Sequence, residues 1–302
     1  MATEITARRP GQSIAAEEIA RLHARVVLRR RIQRGLFFAL LIASVGVSVF
    51  PFYWMVVTSL KSWAGIFTYP PTFLPEDYAA SSYREVFETT RLWLWLVNSA
   101  KVTIPTTALS LALAATGAYA LSRFKYRGKD AYGFLILVTQ MLPGTLLLIP
   151  IYLIFKNANL LDNHVGLVIA YTTFSLPFCL WMQKGYFDTI PVELEEAALV
   201  DGCSRLEALV RIVLPLSLPG LAVTAMFAFV LGWNEFVFAA TLLSTPELAT
   251  NPVGLASFVS EYGTPWASIM AASAVSSLPV LLLFLFLQRY LLYGLTAGAV
   301  KG

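Results

Sequence analysis

The sequence predicts an all-α polytopic membrane protein with six spanning helices. Of its 302 residues, 57% are hydrophobic and only 13% charged, about half the charged share of a soluble protein. The charge-poor residues also fall into recurring blocks, each close to the ~20 residues that a helix needs to cross a hydrocarbon core of about 30 Å. A soluble enzyme is excluded.

The blocks are residues 35–60, 92–122, 131–155, 165–183, 217–245 and 266–288. The first lies behind a long N-terminal segment and lacks a small-residue cleavage pattern, so it reads as a retained helix rather than a secretory signal. Residues 1–34 ahead of it form a basic segment. Within it Ile19, Leu22 and Val26 share a helical face, and arginines gather toward the bilayer. A basic interfacial helix and a solvated arm that only sets topology both fit.

Four of the six blocks carry no charge. The second holds Lys101 near its start and the fifth holds Glu235 well inside. An intramembrane carboxylate is costly unless it is paired or faces water, so Glu235 belongs in the bundle or a cavity. With Trp233 and Asn234 it has the aromatic and hydrogen-bonding character of a sugar path. Alternatively it is an interhelical hydrogen-bond partner that holds the fold. Pro105, Pro143, Pro150, Pro177 and Pro279 each remove a helix bond and bend their helices, making room for a cavity. Gln140, one turn from Pro143, either reaches that cavity or bonds a neighbouring helix.

Orientation follows from Lys and Arg, which cytoplasmic segments retain. Of the 22 basic residues, Lys61, Arg84, Arg91, Lys101 and Lys156 fall on one side and all others on the side of the termini. Both termini are therefore expected in the cytoplasm. The formal charge of +4 reflects topology, not a nucleic-acid surface. Cys179, Cys203, His23 and His164 match no disulfide, metal or catalytic spacing.

The loop of residues 188–215 carries the most specific signal. Pro191 suits a first helical position, and Glu193, Glu195 and Glu196 follow where the free N–H groups favour carboxylates. Gly202 permits a turn. Ser204 and Glu207 form a capping box that opens a second helix, in which Leu206, Leu209, Ile212 and Val213 make an apolar stripe before Pro215 ends it. Ala197, Ala198 and Gly202 leave a shallow surface that a partner's backbone can approach. A docking element and a hairpin resting on lipid headgroups both fit these features.

Glu196-Ala197-Ala198, then Gly202, Ile212 and Leu214-Pro215 resemble the EAA motif of ABC-importer permeases. Trp233-Asn234-Glu235-Phe236 and the last nine residues resemble the second permease of carbohydrate importers, the maltose-type, MalG-like family. The resemblance implies a six-helix type I importer permease (MetI-like) fold for residues 35–293, in a prokaryotic cytoplasmic membrane. It implies that the loop docks an ATPase, with Glu196, Ala197, Ala198, Asp201, Gly202, Leu206, Leu209, Ile212, Leu214 and Pro215 as the docking set. Glu261, Tyr262, Gly263 and Thr264 would touch an external solute-binding protein, and the cytoplasmic tail 294–302 would meet the ATPase dimer. The implied partners are a second, MalF-like permease, two ATP-binding subunits, the binding protein and a disaccharide or oligosaccharide.

No phosphate-binding Gly-x-x-x-x-Gly-Lys-Ser/Thr run exists in the chain. ATP and Mg are therefore expected on partner subunits, with no cofactor and no bond chemistry on this chain. The rival is a proton-coupled secondary transporter that uses Glu235 as a relay. It leaves the capped loop without a purpose.

Overall fold

The computed structural model describes residues 10–75, 78, 80–259 and 264–299, with side chains from residue 28 to residue 290 of these. The described residues form helices and connecting loops without strands. Helix α1 spans Pro10–Ser59, α2 Trp63–Ile66, α3 Ser81–Thr89, α4 Leu92–Arg123 and α5 Lys129–Met141. After a 3-10 turn, Gly144–Leu147, come α6 (Leu148–Asn157), α7 (His164–Phe187) and α8 (Glu193–Val200). Helix α9 (Arg205–Ala208) runs through a π turn, Leu209–Val213, into α10 (Leu214–Leu216). Helices α11 (Leu218–Asn234), α12 (Val237–Leu242), α13 (Asn251–Ala256) and α14 (Trp266–Ala299) complete the chain.

The chain divides into two compact units, Met1–Met55 and Val56–Gly302. In the first, the basic segment from Pro10 onward and the first apolar block form one continuous helix with no break near residue 34. Side chains 28–53 are exposed. A helix this apolar and this bare requires lipid or another chain around it.

In the second unit α4 packs against α7 and α11, and α11 against α14. The α4 face is built of small residues at helical spacing: Ser99, Thr103, Thr106, Ser110, Ala114 and Ala118 are all buried. Such residues let helix backbones approach closely where lipid offers no hydrophobic drive. The Ser110 and Ser175 hydroxyls share a 2.6 Å hydrogen bond across this seam.

Four helices are long and apolar enough to span a membrane, and six if two bent pairs each count as one. In the first pair α5 and the segment from Gly144 to Asn157 meet at 89°. The expected single span 131–155 is therefore broken, at Leu142-Pro143. In the second pair α9–α10 and α11 meet at 82°. Here the bend lies outside the span, because the segment before it carries Arg205, Glu207 and Arg211 while residues 218–242 hold only Glu235. Pro105, Pro177 and Pro279 sit inside uninterrupted helices. Pro150 falls in the first turn of α6, where a missing N–H costs little.

On the face away from α8, the stretch after α12 is a folded layer, not a loose connector. Asp162 accepts hydrogen bonds from the Ser244 and Thr245 amides, both at 2.9 Å, and from the Thr245 hydroxyl. The Asn98 amide donates to the Glu247 and Ala249 carbonyls, and the Ser99 hydroxyl accepts from Asn251 N–H. Gly254 lies against the Trp95 indole so closely that a Cβ would fall 2.0 Å from the ring. Glu261, Tyr262 and Gly263 lie outside the described residues, as do residues 300–302; Thr264 is half-buried just before α14. Helix α14 continues through most of the predicted tail, to Ala299.

Candidate functional site: the α8–α9 hairpin and the broken helices

The hairpin forms as its capping residues dictate. Glu193, Glu195 and Glu196 occupy the first turn of α8, where unpaired amides favour negative charge. The helix ends at Gly202, whose φ of +90° costs an L side chain about 1–2 kcal/mol. This conformation lets Cys203 N–H reach the Ala198 carbonyl (3.0 Å) and Gly202 N–H the Leu199 carbonyl (3.1 Å), a Schellman closure. The predicted capping box is present: the Ser204 hydroxyl accepts from Glu207 N–H, and Glu207 accepts from Ser204 N–H at 2.8 Å. These Ser204 bonds, with Arg211 nearby, hold the Glu207 carboxyl below its ordinary range.

The second helix does not offer the whole predicted stripe. Ala208, Leu209 and Val213 are buried with Ala115, Ala118 and Tyr119 of α4 and with Phe187 and Ile190. Of the expected docking set, Leu209 and Ala198 therefore serve the chain's own core, and Ile212 and Leu214 are half-buried. The apolar side chains that face outward most are Val200 (87% exposed), Leu206 (64%) and Val210 (54%), with Val192 and Leu194 exposed at the start of α8. Glu196, Ala197, Asp201, Gly202 and Pro215 are exposed beside or near them. Val200 and Val210 were missed by the pattern reading. Leu206 and Val210 are four residues apart on one flank of the stripe and Leu209 and Val213 on the other, and burial takes only the second flank.

Glu195, read from the sequence only as a first-turn carboxylate, has a second role. It is buried against the end of α4, where Arg123 Nε donates to its carboxylate at 2.5 Å and both side chains are 5% exposed. Nearby, Asp188 accepts from Lys184 and from the Ser122 hydroxyl, both at 2.6 Å. Burial pushes the Asp188 carboxyl up, but these bonds outweigh it and leave it below the usual carboxylate range.

The four candidate path residues separate. Trp233 is buried, donates its indole N–H to the Ser276 carbonyl at 3.1 Å and stacks on Phe229; it packs toward α14 and presents no face to a solute. Asn234 and Gln140 are exposed, and Gln140 contacts the Phe174 carbonyl at 3.5 Å. Glu235 is engaged by backbone amides. Its two oxygens accept from Phe238 N–H (2.9 Å) and Ala239 N–H (3.1 Å), so it caps α12, where the chain breaks after Asn234. Both side-chain oxygens are thus taken up by backbone amides, and the secondary-transporter alternative is not favoured.

The two breaks lie side by side. A Cβ at Gly144 would fall 3.4 Å from the Phe174 ring and 3.7 Å from that of Phe238, rings that are 4.6 Å apart, and the Tyr171 hydroxyl donates to the Glu235 carbonyl at 3.3 Å. Helices α5 and α11 both end in extended residues, Leu142 and Glu235. A helix that stops leaves up to four carbonyls without an intrahelical partner. Such backbone at membrane depth is tolerated where it is buried in protein or lines a cavity.

With this geometry in place, comparison with known proteins is decisive. Residues 107–294 match the family described as the binding-protein-dependent transport system inner membrane component. The chain belongs to that family. This permease is 38% identical over 254 residues to the diacetylchitobiose uptake system permease protein DasC of Streptomyces coelicolor, covering 84% of this chain and 92% of that one. It is 34% identical over 264 residues to the trehalose/maltose transport system permease protein MalG of Thermococcus litoralis, covering 85% and 92%. Its fold is similar to a bacterial ABC transporter involved in import of the acidic polysaccharide alginate: TM-score 0.72, 26% identity, with 96% and 100% of the two chains covered. The permease is thus a multi-pass membrane subunit of the carbohydrate-uptake ABC type.

Proposed function

We propose that this chain is the permease subunit of an importer for a disaccharide or short oligosaccharide, working by alternating access. ATP and Mg are held by two partner ATPases that dock on the α8–α9 hairpin. A second permease completes the path and an external binding protein delivers the sugar. The observation that carries this reading is the hairpin itself: a capped, rigid element showing Val200, Leu206 and Val210 outward while its other face is fixed to α4. A cytoplasmic hairpin is supported by the basic residues of its own unit near it, Arg123, Lys125, Arg127, Lys129, Arg205 and Arg211.

The sugar class is supported by the uptake systems for which the relatives are named. The chemistry agrees, because a hydroxyl-rich solute needs acceptors, and the ends of α5 and α11 leave carbonyls beside Asn234 and Gln140. Co-expression with the partner subunits tests the reading. ATP turnover of the purified complex is expected to rise when a loaded binding protein carrying a disaccharide or oligosaccharide is added. Failure to recover an ATPase with the chain, or stimulation by non-sugar solutes alone, would contradict it.

A further inference from the structure

The end of α4 is joined to the hairpin by more than apolar packing. Arg123 reaches across 72 residues of sequence to Glu195, and its Nη2 also donates to the Ile190 carbonyl at 3.0 Å. Its Nη1 donates to the Ser122 hydroxyl at 3.1 Å, which in turn donates to Asp188. One guanidinium thus holds the linker before α8, the first turn of α8 and its own helix end. Arg suits this role because its planar fork spreads fixed donors over several acceptors. Just beyond α4, Arg205 at the start of α9 lies over the Phe124 ring at 5.2 Å. Moving the hairpin without α4 would break these bonds, and α4 carries the small-residue seam to α7.

A buried ion pair is seldom retained for stability, since well-packed apolar residues often do as well. Its use here is directional. We propose that Arg123 and Glu195 are positioning residues that form the strut through which displacement of the docked hairpin drives α4, so that the pair sets how much transport each ATP hydrolysed produces. The ATPase-facing side chains Val200, Leu206 and Val210 decide whether the motor binds; Arg123 and Glu195 decide whether its stroke reaches the span.

This inference rests on the importer reading, and one experiment separates the two. The complete complex is reconstituted in liposomes with its binding protein, and transport per ATP hydrolysed is measured for wild type, Arg123→Gln, Glu195→Gln and the double variant. A wild-type complex that hydrolyses ATP and moves no sugar overturns the importer reading. Given transport by wild type, each single variant is expected to retain ATPase recovery and ATP turnover but lose about tenfold in transport per ATP, the scale of a typical intersite coupling. The double variant, which removes the strut but leaves no unpaired buried charge, is expected to lose no more than the worse single variant, because the two residues act as one unit. Unchanged transport per ATP in both single variants, or a double variant restored to the wild-type ratio, overturns the strut. If the glutamine variants fail to assemble, Glu195→Asp keeps the charge and shortens the arm. An intermediate ratio then supports the strut, and a wild-type ratio overturns it.

Discussion

Leu206 and Leu209 are separated by three residues, and alanine at the two positions is expected to produce opposite failures. Leu→Ala removes about three methylene equivalents at ~0.8 kcal/mol each. Leu206 is 64% exposed, so about 1.5 kcal/mol of that is available only to a partner, close to tenfold in Kd. Leu209 is 3% exposed, among Tyr119, Phe187 and Val213, and its truncation is expected to cost the chain about 2–5 kcal/mol as a cavity. The assay pairs thermal unfolding of the solubilised permease with binding of the purified ATPase subunit to immobilised permease. Leu206→Ala should leave Tm near wild type and weaken ATPase binding about tenfold, whereas Leu209→Ala should lower Tm. Equal losses of Tm with unchanged ATPase affinity for Leu206→Ala would refute the assignment of the two faces.

Other positions give further expectations. Gly202→Ala, forced to a φ of +90°, should destabilise the hairpin by about 1–2 kcal/mol, seen as faster hydrogen exchange at Gly202 and Cys203; unchanged exchange there would contradict the closure. Glu235→Ala loses both acceptors for α12 and Glu235→Gln only one, so the loss of Tm should be larger for alanine, by about 1 kcal/mol; identical Tm values would remove the capping role. Asp162 has its carboxyl lowered by the Thr245 hydroxyl and the Thr245 and Ser244 amides. A depressed folded pKa means stabilisation that is fully present above the unfolded value of about 3.9 and lost as pH falls through the lower folded value. Exchange protection of Ser244 and Thr245 should therefore fall in acid below about pH 4, and Asp162→Asn should flatten that dependence.

Much of this was legible because it is local. Arg91 and Arg123 bracket α4, Trp266 opens α14 where the apolar block begins, and Ser204, Glu207 and Gly202 announce their caps by residue type. What was hidden depends on distance or on backbone breaks without punctuation. The run 217–245 has no proline or glycine at its interruption, so Glu235 read as a polar residue inside a helix when it is the cap of a new one. The Arg123–Glu195 pair spans 72 residues, beyond any periodicity. The faces of α9 were merged because Leu206, Leu209, Ile212 and Val213 approximate one helical stripe, whereas burial follows the four-residue steps 206–210 and 209–213. Trp233 looked like a sugar platform from composition, but a flat indole also fills a helix interface, and Phe229 and Ser276 take it.

Uptake of labelled oligosaccharide into sealed proteoliposomes, with the ATPase subunits present or omitted, is the most direct check on a transporter that borrows its energy. Accumulation is expected only when the second permease, the ATPases, ATP inside the vesicles and the loaded binding protein outside are all supplied. Uptake by this chain alone, driven by a proton gradient and indifferent to ATP, would contradict it.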